Sequence, residues 1–324
     1  MTRKATTKKP SKKLAKILES QTKELATGIT SEQLSAIFFD VTTLKYQPEP
    51  LYRLDSSGHR YYYRYGEDGN PLFYTSVTTL IKATLPTSPF LIKWLIDKGG
   101  DAGKDEAKER ASYGTFLHVQ CAEILMTGKY DLDSLSEKLT IFLTAEKTNG
   151  QPTWVDDLKK DVLCFAQFII DRNVKPIAVE VVLYHPTDMY AGAIDIVCEM
   201  DWNKKRIPCI VDIKSGKKGF YESSEIQLGA YRTMWNIHFP NYQIDSVFNW
   251  SPKDFKGTTP TYNLKDQSDS KSLAKLPYLV ELSKIEADKR LDSVTITKGK
   301  IDLTKGLGSN IEEVSYTELI KRNK

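Results

Sequence analysis

Acidic and basic side chains lie at the ends of two neighbouring strand-like segments of this chain. Asp195 lies in the first apolar, β-branched run, and Asp212 and Lys214 end the second. Residues i and i+2 of a strand point to the same face, so Asp212 and Lys214 should project together while Ile213 turns into the core. Two carboxylates suit Mg²⁺ or Mn²⁺, and a lysine can neutralise charge that develops on a bound phosphate. The pattern therefore predicts metal-dependent hydrolysis of a phosphodiester, and hence cleavage of nucleic acid.

The sequence predicts both strands and helices around these residues. Residues 194–197 and 207–213 are predicted strands, and the polar stretch 201–205 between them is typical of a hairpin loop. A tyrosine-rich hairpin over residues 52–74, with its turn at residues 66–70, either contacts a nucleic-acid strand or packs on a neighbouring element. Together they predict an α/β fold with a mixed central β-sheet flanked by helices. Further strands are expected at residues 177–184 and 244–250, and helices at residues 14–25, 31–37, 77–98, 105–126, 154–172 and 272–291.

A predicted helix after the second strand supplies candidate contacts to nucleic acid. Gln227 and Tyr231 are four residues apart, which places both side chains on one helix face, and Arg232 follows directly. Glutamine can bond a phosphate or a base, and tyrosine can stack on a base. Lys217 and Lys253 are further candidate basic contacts. The alternative is a helix that packs on the sheet with Tyr231 half buried.

Two further residues are candidate metal ligands. His118 lies on the predicted helix 105–126, whose apolar face would equally well hold a histidine that only packs. Glu180 lies on the predicted strand 177–184, where its carboxylate is either a third acidic ligand or an ordinary charge facing solvent.

The composition is that of a globular chain with one basic end. The chain has 324 residues and a net charge of +4. Residues 1–16 contain seven Lys or Arg and no acid, which leaves a net charge of −3 on the remainder. Such an arm can tether a protein to nucleic acid without sequence preference, or can be a solubilising tail. No apolar run approaches the length of a membrane span, so no membrane partner is expected.

Several segments, in order, resemble the PD-(D/E)XK nuclease superfamily, specifically its RecB-like exonuclease branch. The resemblance covers roughly residues 70–255. Its motifs are specific only in combination, since no single one of them would identify the superfamily. A segment that includes Pro86 and residues 90–94 also looks like the N-terminal part of phage-encoded members. The matching segments are Gly114-Thr-Phe-Leu-His118, Glu180 on the preceding strand, Gly192-Ala-Ile-Asp195, Asp212-Ile-Lys214, and the Gln-x-x-x-Tyr helix at Gln227 and Tyr231.

The resemblance implies a restriction-endonuclease-like core and one or two Mg²⁺ or Mn²⁺ ions. It implies a DNA exonuclease that acts in recombination, repair or phage genome processing. Asp212 departs from the glutamate found in many members, a change that the superfamily tolerates. The implied catalytic residues are Asp195, Asp212 and Lys214, and the implied metal ligands are His118, Asp195 and Asp212, with the Ile213 carbonyl and Glu180 as additional candidates.

Other functions remain open at this point. A structure-specific endonuclease is one alternative, and a non-catalytic DNA-binding or phage structural protein with a nuclease fold is another. The intact Asp195, Asp212 and Lys214 set argues against a purely binding protein. Some relatives hold an iron–sulfur cluster on grouped cysteines, but the four cysteines here are scattered, so no cluster is expected. Scattered cysteines indicate reduced thiols in a cytoplasm, the host cytoplasm if the chain is phage-encoded.

We expect three parts along the chain. These are a basic arm over residues 1–45, a nuclease domain over residues 46–292 and an appendage with a terminal helix over residues 293–324. Within the nuclease domain, a helical and hairpin lead-in covers residues 46–173 and the catalytic core covers residues 174–292. Gly216 and Lys217 lack the upstream glycine of a phosphate-binding loop, so no motor is expected within this sequence. DNA is the expected partner, and a recombinase, single-strand-binding protein or helicase would be a separate chain.

Overall fold

A computed structural model describes residues 36–37, 51–56, 59–217, 219–287, 293–297 and 311–315. The basic arm, the predicted helix at residues 14–25 and the predicted terminal helix lie outside the described residues. Of the predicted helix at residues 31–37, only Ala36–Ile37 is described, and these residues form a short strand that pairs with residues 178 and 179. That part of the helix prediction is wrong.

Strands and helices occur mostly in runs along the described chain. The strands are β1 (Ala36–Ile37), β2 (Tyr52–Ser56), β3 (His59–Tyr65), β4 (Pro71–Ser76), β5 (Lys175–His185), β6 (Tyr190–Trp202), β7 (Lys205–Ile213), β8 (Ser246–Pro252), β9 (Tyr262–Asp266), β10 (Ser293–Thr297) and β11 (Ile311–Ser315). The α-helices are α1 (Val77–Thr84), α2 (Pro89–Lys98), α3 (Gly100–Thr127), α4 (Leu135–Glu146), α5 (Trp154–Asp171), α6 (Glu222–His238) and α7 (Leu276–Ala287).

The central sheet has 9 strands in the order β2-β3-β4-β6-β7-β8-β9, with β5 beside β6 and β1 beside β5. Strand β5 pairs with β6 from Lys175 to His185 and so occupies one edge of β6. Both β4 and β7 must therefore use the other edge. Strand β4 takes residues 190 and 191, in parallel, and β7 takes residues 196–202, antiparallel. This leaves residues 192–195 of β6 at the point where β4 and β7 diverge.

Helices cover both faces of the sheet. One apolar core joins the sheet to α1, α6 and α7 through residues such as Leu80, Trp235 and Val280. The other joins it to α3, α4 and α5 through residues such as Leu117 and Phe165. Strands β5, β6 and β7 contribute to both cores, which explains why their sequences are almost continuously apolar rather than alternating.

The turn between β6 and β7 matches its prediction. Asn203 and Lys204 have φ values of 48° and 64°. Two consecutive residues with positive φ form the two-residue turn whose twist suits a right-handed hairpin, and asparagine adopts this conformation readily. The hairpin therefore closes within the predicted loop and fixes the register of β6 against β7.

The sequence-based element boundaries need several corrections. The predicted single helix at residues 77–98 is two helices, because Pro86 and Pro89 break the helical pattern between Leu85 and Ser88. Helix α4 and strand β9 were not predicted. The predicted helix at residues 272–291 starts with a 3₁₀ turn, Lys271–Lys275, and becomes α-helical at Leu276.

The predicted fold class is confirmed: the protein is an α/β structure with a mixed, open central sheet of parallel and antiparallel strands flanked by helices. The tyrosine-rich segment forms β2, β3 and β4, as expected. In the appendage, β10 and β11 pair with each other in an antiparallel hairpin. Within the described residues, no helix combines the length and apolar character needed to cross a membrane.

Candidate active site

Three acidic residues lie side by side across β5, β6 and β7. The antiparallel register of β5 and β6 places Glu180 opposite Asp195. The ladder between β6 and β7 ends with Ile196 opposite Val211, so the next residues along these strands are Asp195 and Asp212. The site therefore begins where the paired strands separate.

Strand separation frees a backbone donor for the Asp195 side chain. The Ile213 N–H donates to Asp195 Oδ2 at 2.7 Å instead of to a carbonyl of β6. Ile213 itself is buried, as the alternation of β7 predicted. The bond holds one carboxylate oxygen of Asp195 and leaves Oδ1 directed at other partners. Ile213 thus serves the site through its N–H, whereas the sequence-based hypothesis used its carbonyl as a metal ligand.

Glu180 has an unusual backbone conformation. Its φ of 53° lies in the left-handed region, although it is neither glycine nor part of a turn. A non-glycine residue in that region costs on the order of 1 kcal/mol, and such residues are concentrated at functional sites. The conformation occurs at the residue of β5 that lies opposite Asp195, and the Glu180 side chain is partly buried there.

His118 reaches the acids from helix α3. Its Nδ1 lies 3.5 Å from Asp195 Oδ1 and 3.8 Å from Glu180 Oε1. Gly114, one helical turn earlier, packs against the segment after Lys214: a Cβ at position 114 would lie 3.2 Å from Ser215 Oγ, closer than ordinary contact. The missing side chain therefore lets α3 approach the end of β7, which brings His118 to the acids.

His118, Glu180 and Asp195 form a group that could hold a metal ion. Each offers one ligand atom, and these atoms lie within 4.8 Å of one another. An imidazole nitrogen with two carboxylate oxygens suits a divalent cation, with water or substrate completing the coordination. The sequence-based hypothesis that His118 packs without a polar role does not describe this geometry, since its ring faces two carboxylates.

The charges of this group are strongly linked. Burial alone would lower the pKa of His118, but the carboxylates of Asp195 and Glu180 outweigh it and raise that pKa well above its ordinary value. Burial would raise the pKa of Asp195, yet His118, Lys214 and the Ile213 N–H together lower it. Burial raises the pKa of Glu180 despite the nearby imidazole. Without a metal, a proton on His118 thus partly takes the place of a cation.

Asp212 lies outside the group of three and binds other partners. Lys214 Nζ lies 2.8 Å from each of its carboxylate oxygens, and Asn249 Nδ2 donates to Oδ2 at 2.8 Å. The side chain is fully buried, which raises its pKa to about 6, against the opposing effect of Lys214. Asp212 and Lys214 project together, as predicted. The described contacts place Asp212 next to the His118, Glu180 and Asp195 group rather than within it.

Lys214 is also held by the helix that follows. Gln227 Oε1 accepts a hydrogen bond from Lys214 Nζ at 3.0 Å, and Gln227 Nε2 donates to the Tyr231 hydroxyl at 2.5 Å. Tyr231 is only 4% exposed, and its ring packs so closely on Gly192 that a Cβ there would lie 2.9 Å from Tyr231 Cε1. The expectation that Tyr231 stacks on a base is therefore replaced by the packing alternative, in which it orients Gln227.

The other predicted nucleic-acid contacts have mixed positions. Arg232 Nη1 donates to the backbone carbonyls of Asp245 and Ser268 at 3.1 and 3.3 Å, a contact that holds the helix to its surroundings. Lys217 lies 3.5 Å from the buried Asp161 and 3.6 Å from Asp254. Both cations therefore have protein partners that their prediction as nucleic-acid contacts did not include. Lys253 is exposed just after β8, so its contact with nucleic acid stays a prediction.

Two buried amides near the site escaped the sequence analysis. Asn249 is fully buried on β8, directly beside Asp212, and Gln267 is 3% exposed just after β9. A signal for Asn249 existed, because it is the polar residue inside the apolar run Val-Phe-Asn-Trp of a predicted strand. Gln267 had none, because β9 was not predicted.

The assembled side chains can bind a divalent cation, hold a cationic lysine beside it and keep a protonatable imidazole in contact with two acids. A bound divalent cation with a lysine beside it can support hydrolysis of a phosphate ester. No protein-family model matches this chain, and no curated protein matches it either.

Proposed function

We propose that this chain is a divalent-metal-dependent DNA nuclease, and specifically an exonuclease. The observation that carries the proposal is the convergence of His118, Glu180 and Asp195 within 4.8 Å, beside the Asp212–Lys214 pair on the next strand. The side chains come from α3, β5, β6 and β7, so a folded sheet and helix are needed to bring them together. DNA processing in a cytoplasm, with any motor or recombinase as a separate chain, fits this proposal.

The donor set fits Mg²⁺ or Mn²⁺. His118, Glu180 and Asp195 would hold the ion, and Asp212, on the strand next to that of Asp195, would join on a second ion or through water. A bound ion of this kind lowers the pKa of water and stabilises charge on a phosphate. Imidazole is a softer ligand than carboxylate, which favours Mn²⁺ relative to an all-oxygen site.

The protein's own groups have separate tasks in this mechanism. Lys214 stabilises negative charge that develops on the phosphate oxygens, since its ammonium is fixed by Asp212 and Gln227 before substrate arrives. Asp195 is oriented by the Ile213 N–H. Gln227 keeps Lys214 directed at the acids, and Tyr231 in turn keeps Gln227 in place. Preorganised groups of this kind need no rearrangement during the reaction.

Digestion of defined DNA tests the proposal. The substrates are linear and covalently closed circular DNA, each single- and double-stranded, with Mg²⁺, Mn²⁺ or a chelator. We expect metal-dependent degradation of linear DNA. Separate substrates labelled at the 5′ or the 3′ terminus show from which end nucleotides are lost. The same digestion with Asp195→Asn controls for contaminating nucleases.

The outcomes separate the possible activities. Cleavage of circular DNA at the same rate as linear DNA would replace the exonuclease by an endonuclease. Binding of DNA with no cleavage of any substrate, in either metal, would overturn the nuclease proposal and leave a binding protein. Equal activity in the wild type and in Asp195→Asn that separates from the chain on further purification would show that another protein in the sample cuts the DNA.

A further inference from the structure

Two buried side-chain amides are hydrogen-bonded in series to Asp212: Asn249 on β8, and then Gln267, which follows β9. Asn249 lies opposite Asp212 in the parallel pairing of β7 and β8. Its Nδ2 donates to Asp212 Oδ2 at 2.8 Å. Its Oδ1 accepts a hydrogen bond from Gln267 Nε2 at 3.2 Å. All three side chains are almost completely shielded from water, so each of these bonds replaces one that water would make in the unfolded chain.

The order of donors and acceptors in this series of hydrogen bonds has a direction. Gln267 presents its NH₂ group to Asn249, which turns the Asn249 carbonyl toward Gln267 and the Asn249 NH₂ toward Asp212. The reverse arrangement would set a carbonyl oxygen against a buried carboxylate and two NH₂ groups against each other. Buried polar groups without partners cost about 1–3 kcal/mol each, so the reverse arrangement is disfavoured.

Gln267 is itself held firmly. Its N–H donates to the Val247 carbonyl at 2.9 Å, and its carbonyl accepts from the Ser270 N–H at 2.9 Å. The backbone is thus fixed on both sides, and the side chain extends from that fixed point to Asn249. Gln267, directly after β9, can therefore set the orientation of the Asn249 amide, and that amide can set the orientation of the Asp212 carboxylate on β7.

The hydrogen bond from Asn249 fixes the rotation of the Asp212 carboxylate, which Lys214 alone does not fix. Lys214 Nζ lies equally close to both oxygens of Asp212, so it does not distinguish between them. Asn249 bonds only Oδ2. A donor on one named oxygen fixes the plane of the carboxylate, and with it the direction in which Oδ1 and Lys214 face.

We propose that Asn249 is a positioning residue for Asp212, and that Gln267 positions Asn249. The inference rests on the proposed nuclease function and deepens it. Because Asn249 is fully buried and bonds Asp212, it would act through Asp212 and not by direct contact with substrate. Partners one step removed from a metal site commonly change metal affinity or activity by about 10–100-fold when they are removed.

The test compares Asn249→Ala and Gln267→Met with a control on the same strand. Ser251 lies two residues after Asn249, is equally buried and accepts a hydrogen bond from Asn263 Nδ2 at 3.2 Å, whereas the described hydrogen bonds of Asp212 come from Asn249 and Lys214. Ser251→Ala therefore removes a buried hydrogen bond of β8 without altering Asp212. For each variant we would measure the Mn²⁺ concentration for half-maximal cleavage, kcat at saturating metal, and the melting temperature.

We expect Asn249→Ala to raise the Mn²⁺ requirement or lower kcat by about 10-fold or more. Gln267→Met should produce a smaller change of the same kind, because Asn249 remains but can rotate. Ser251→Ala should lower the melting temperature without changing either kinetic quantity. Should Asn249→Ala fail to fold, Gln267→Met decides by itself, since it leaves unchanged every residue that contacts Asp212.

Two results would overturn the inference. One is a folded Asn249→Ala or Gln267→Met protein whose metal requirement and kcat stay within about twofold of the wild type. The other is a Ser251→Ala protein that shifts them equally, which would reduce Asn249 to a general stabilising role. Both are distinct from failure of the proposed function, in which the wild-type protein itself cleaves no DNA.

Discussion

At the scale of single residues, the site holds more acids than cations. Glu180, Asp195 and Asp212 lie across neighbouring strands, with His118 and Lys214 as the basic groups beside them. The raised pKa values of Glu180 and Asp212 are a consequence, because burial penalises each additional negative charge. A divalent cation would relieve this imbalance, so we expect metal, proton binding and stability to be linked.

The first prediction concerns catalysis. Asp195→Asn and Lys214→Ala should each lower the cleavage rate by at least about 100-fold, the usual effect of removing a preorganised charge. DNA binding should largely survive. Asp201→Asn is a matched control, because Asp201 lies on the same strand as Asp195 but at its exposed hairpin end. Wild-type cleavage by purified Asp195→Asn would remove Asp195 from the mechanism.

The second prediction concerns stability without metal. The pKa of Asp212 is raised from 3.8 to about 6 in the folded protein, so folding favours its protonated form. The protonated carboxyl costs the folded protein least at low pH. As the pH rises from 3.8 through about 6, Asp212 loses its proton, and the burial of its negative charge then lowers the free energy of unfolding. A shift of this size corresponds to roughly 2–3 kcal/mol.

Asp212→Asn should therefore melt at a higher temperature than the wild type at pH 7.5 in chelator, although it is inactive. The difference should shrink at pH 4.5, where the wild-type carboxyl is mostly protonated. Thermal melts of both proteins at the two pH values provide the measurement. An Asp212→Asn protein that is less stable than the wild type at pH 7.5 would contradict the prediction.

The third prediction concerns His118 and the proton that it carries. Its pKa is raised by Asp195 and Glu180 against the effect of burial, so folding without metal favours the protonated form of this imidazole. The ring nitrogen that binds a metal must be unprotonated, so binding of Mn²⁺ should displace the proton from each His118 that carries one. Calorimetric titrations in buffers of different ionisation enthalpy count that proton.

His118→Ala should bind Mn²⁺ more weakly and abolish the His118 contribution to proton release, while excess Mn²⁺ restores part of the activity. His185→Gln is the control, since His185 bonds the Asp188 backbone N–H away from the site. If His118→Ala lowers only the melting temperature and leaves Mn²⁺ affinity unchanged, His118 is a packing residue.

At the scale of elements, local patterns were predicted well and long-range ones were not. The β6–β7 hairpin and the helix with Gln227 follow from strand alternation, a turn and i, i+4 spacing, all of which are local. The role of Tyr231 was misjudged because its burial against Gly192 depends on how α6 crosses β6. Asn249 became part of the site through the parallel pairing of β7 and β8, which no short stretch of sequence specifies.

The fourth prediction concerns the contact between α6 and β6. Gly192→Ala would place a Cβ 2.9 Å from Tyr231 Cε1, so the ring or the strand must shift. Overpacking of this kind costs about 1–3 kcal/mol, and a displaced Tyr231 would also release Gln227 from Lys214. We therefore expect both a lower melting temperature and a lower kcat.

Gly100→Ala is the control for the Gly192 substitution, because a Cβ at position 100 meets no atom within 4 Å. It should leave both quantities close to the wild type. Unchanged kcat in a destabilised Gly192→Ala protein would separate Tyr231 packing from the orientation of Lys214.

At the scale of the whole molecule, charge is unevenly distributed along the chain. The seven basic residues of positions 1–16 contrast with the net negative remainder. An enzyme with a negative body would be repelled by DNA at long range, and a basic arm would oppose that repulsion. The arm lies outside the described residues, so its contribution is a matter for measurement.

The fifth prediction concerns this arm. Deleting residues 1–16 should make the affinity for DNA less sensitive to salt. If all seven charges contact phosphates of duplex DNA, the arm contributes up to about −6 to the slope of log K against log[salt], and the deletion removes that contribution. Cleavage of saturating substrate should barely change. A variant with the same residues replaced by serine controls for chain length, and an unchanged slope in both would assign the arm to solubility or to a protein partner.

The pairing of β7 with β8 has a consequence for biosynthesis. Strand β7 carries Asp212, but the neighbour that presents Asn249 to it is made only after helix α6 has been translated. A ribosome-bound chain that has reached β7 therefore exposes an open strand edge and an unsupported carboxylate. Under the proposed function, cleavage would begin only when β8 and Gln267 have left the ribosome, because the support of Asp212 is incomplete before then.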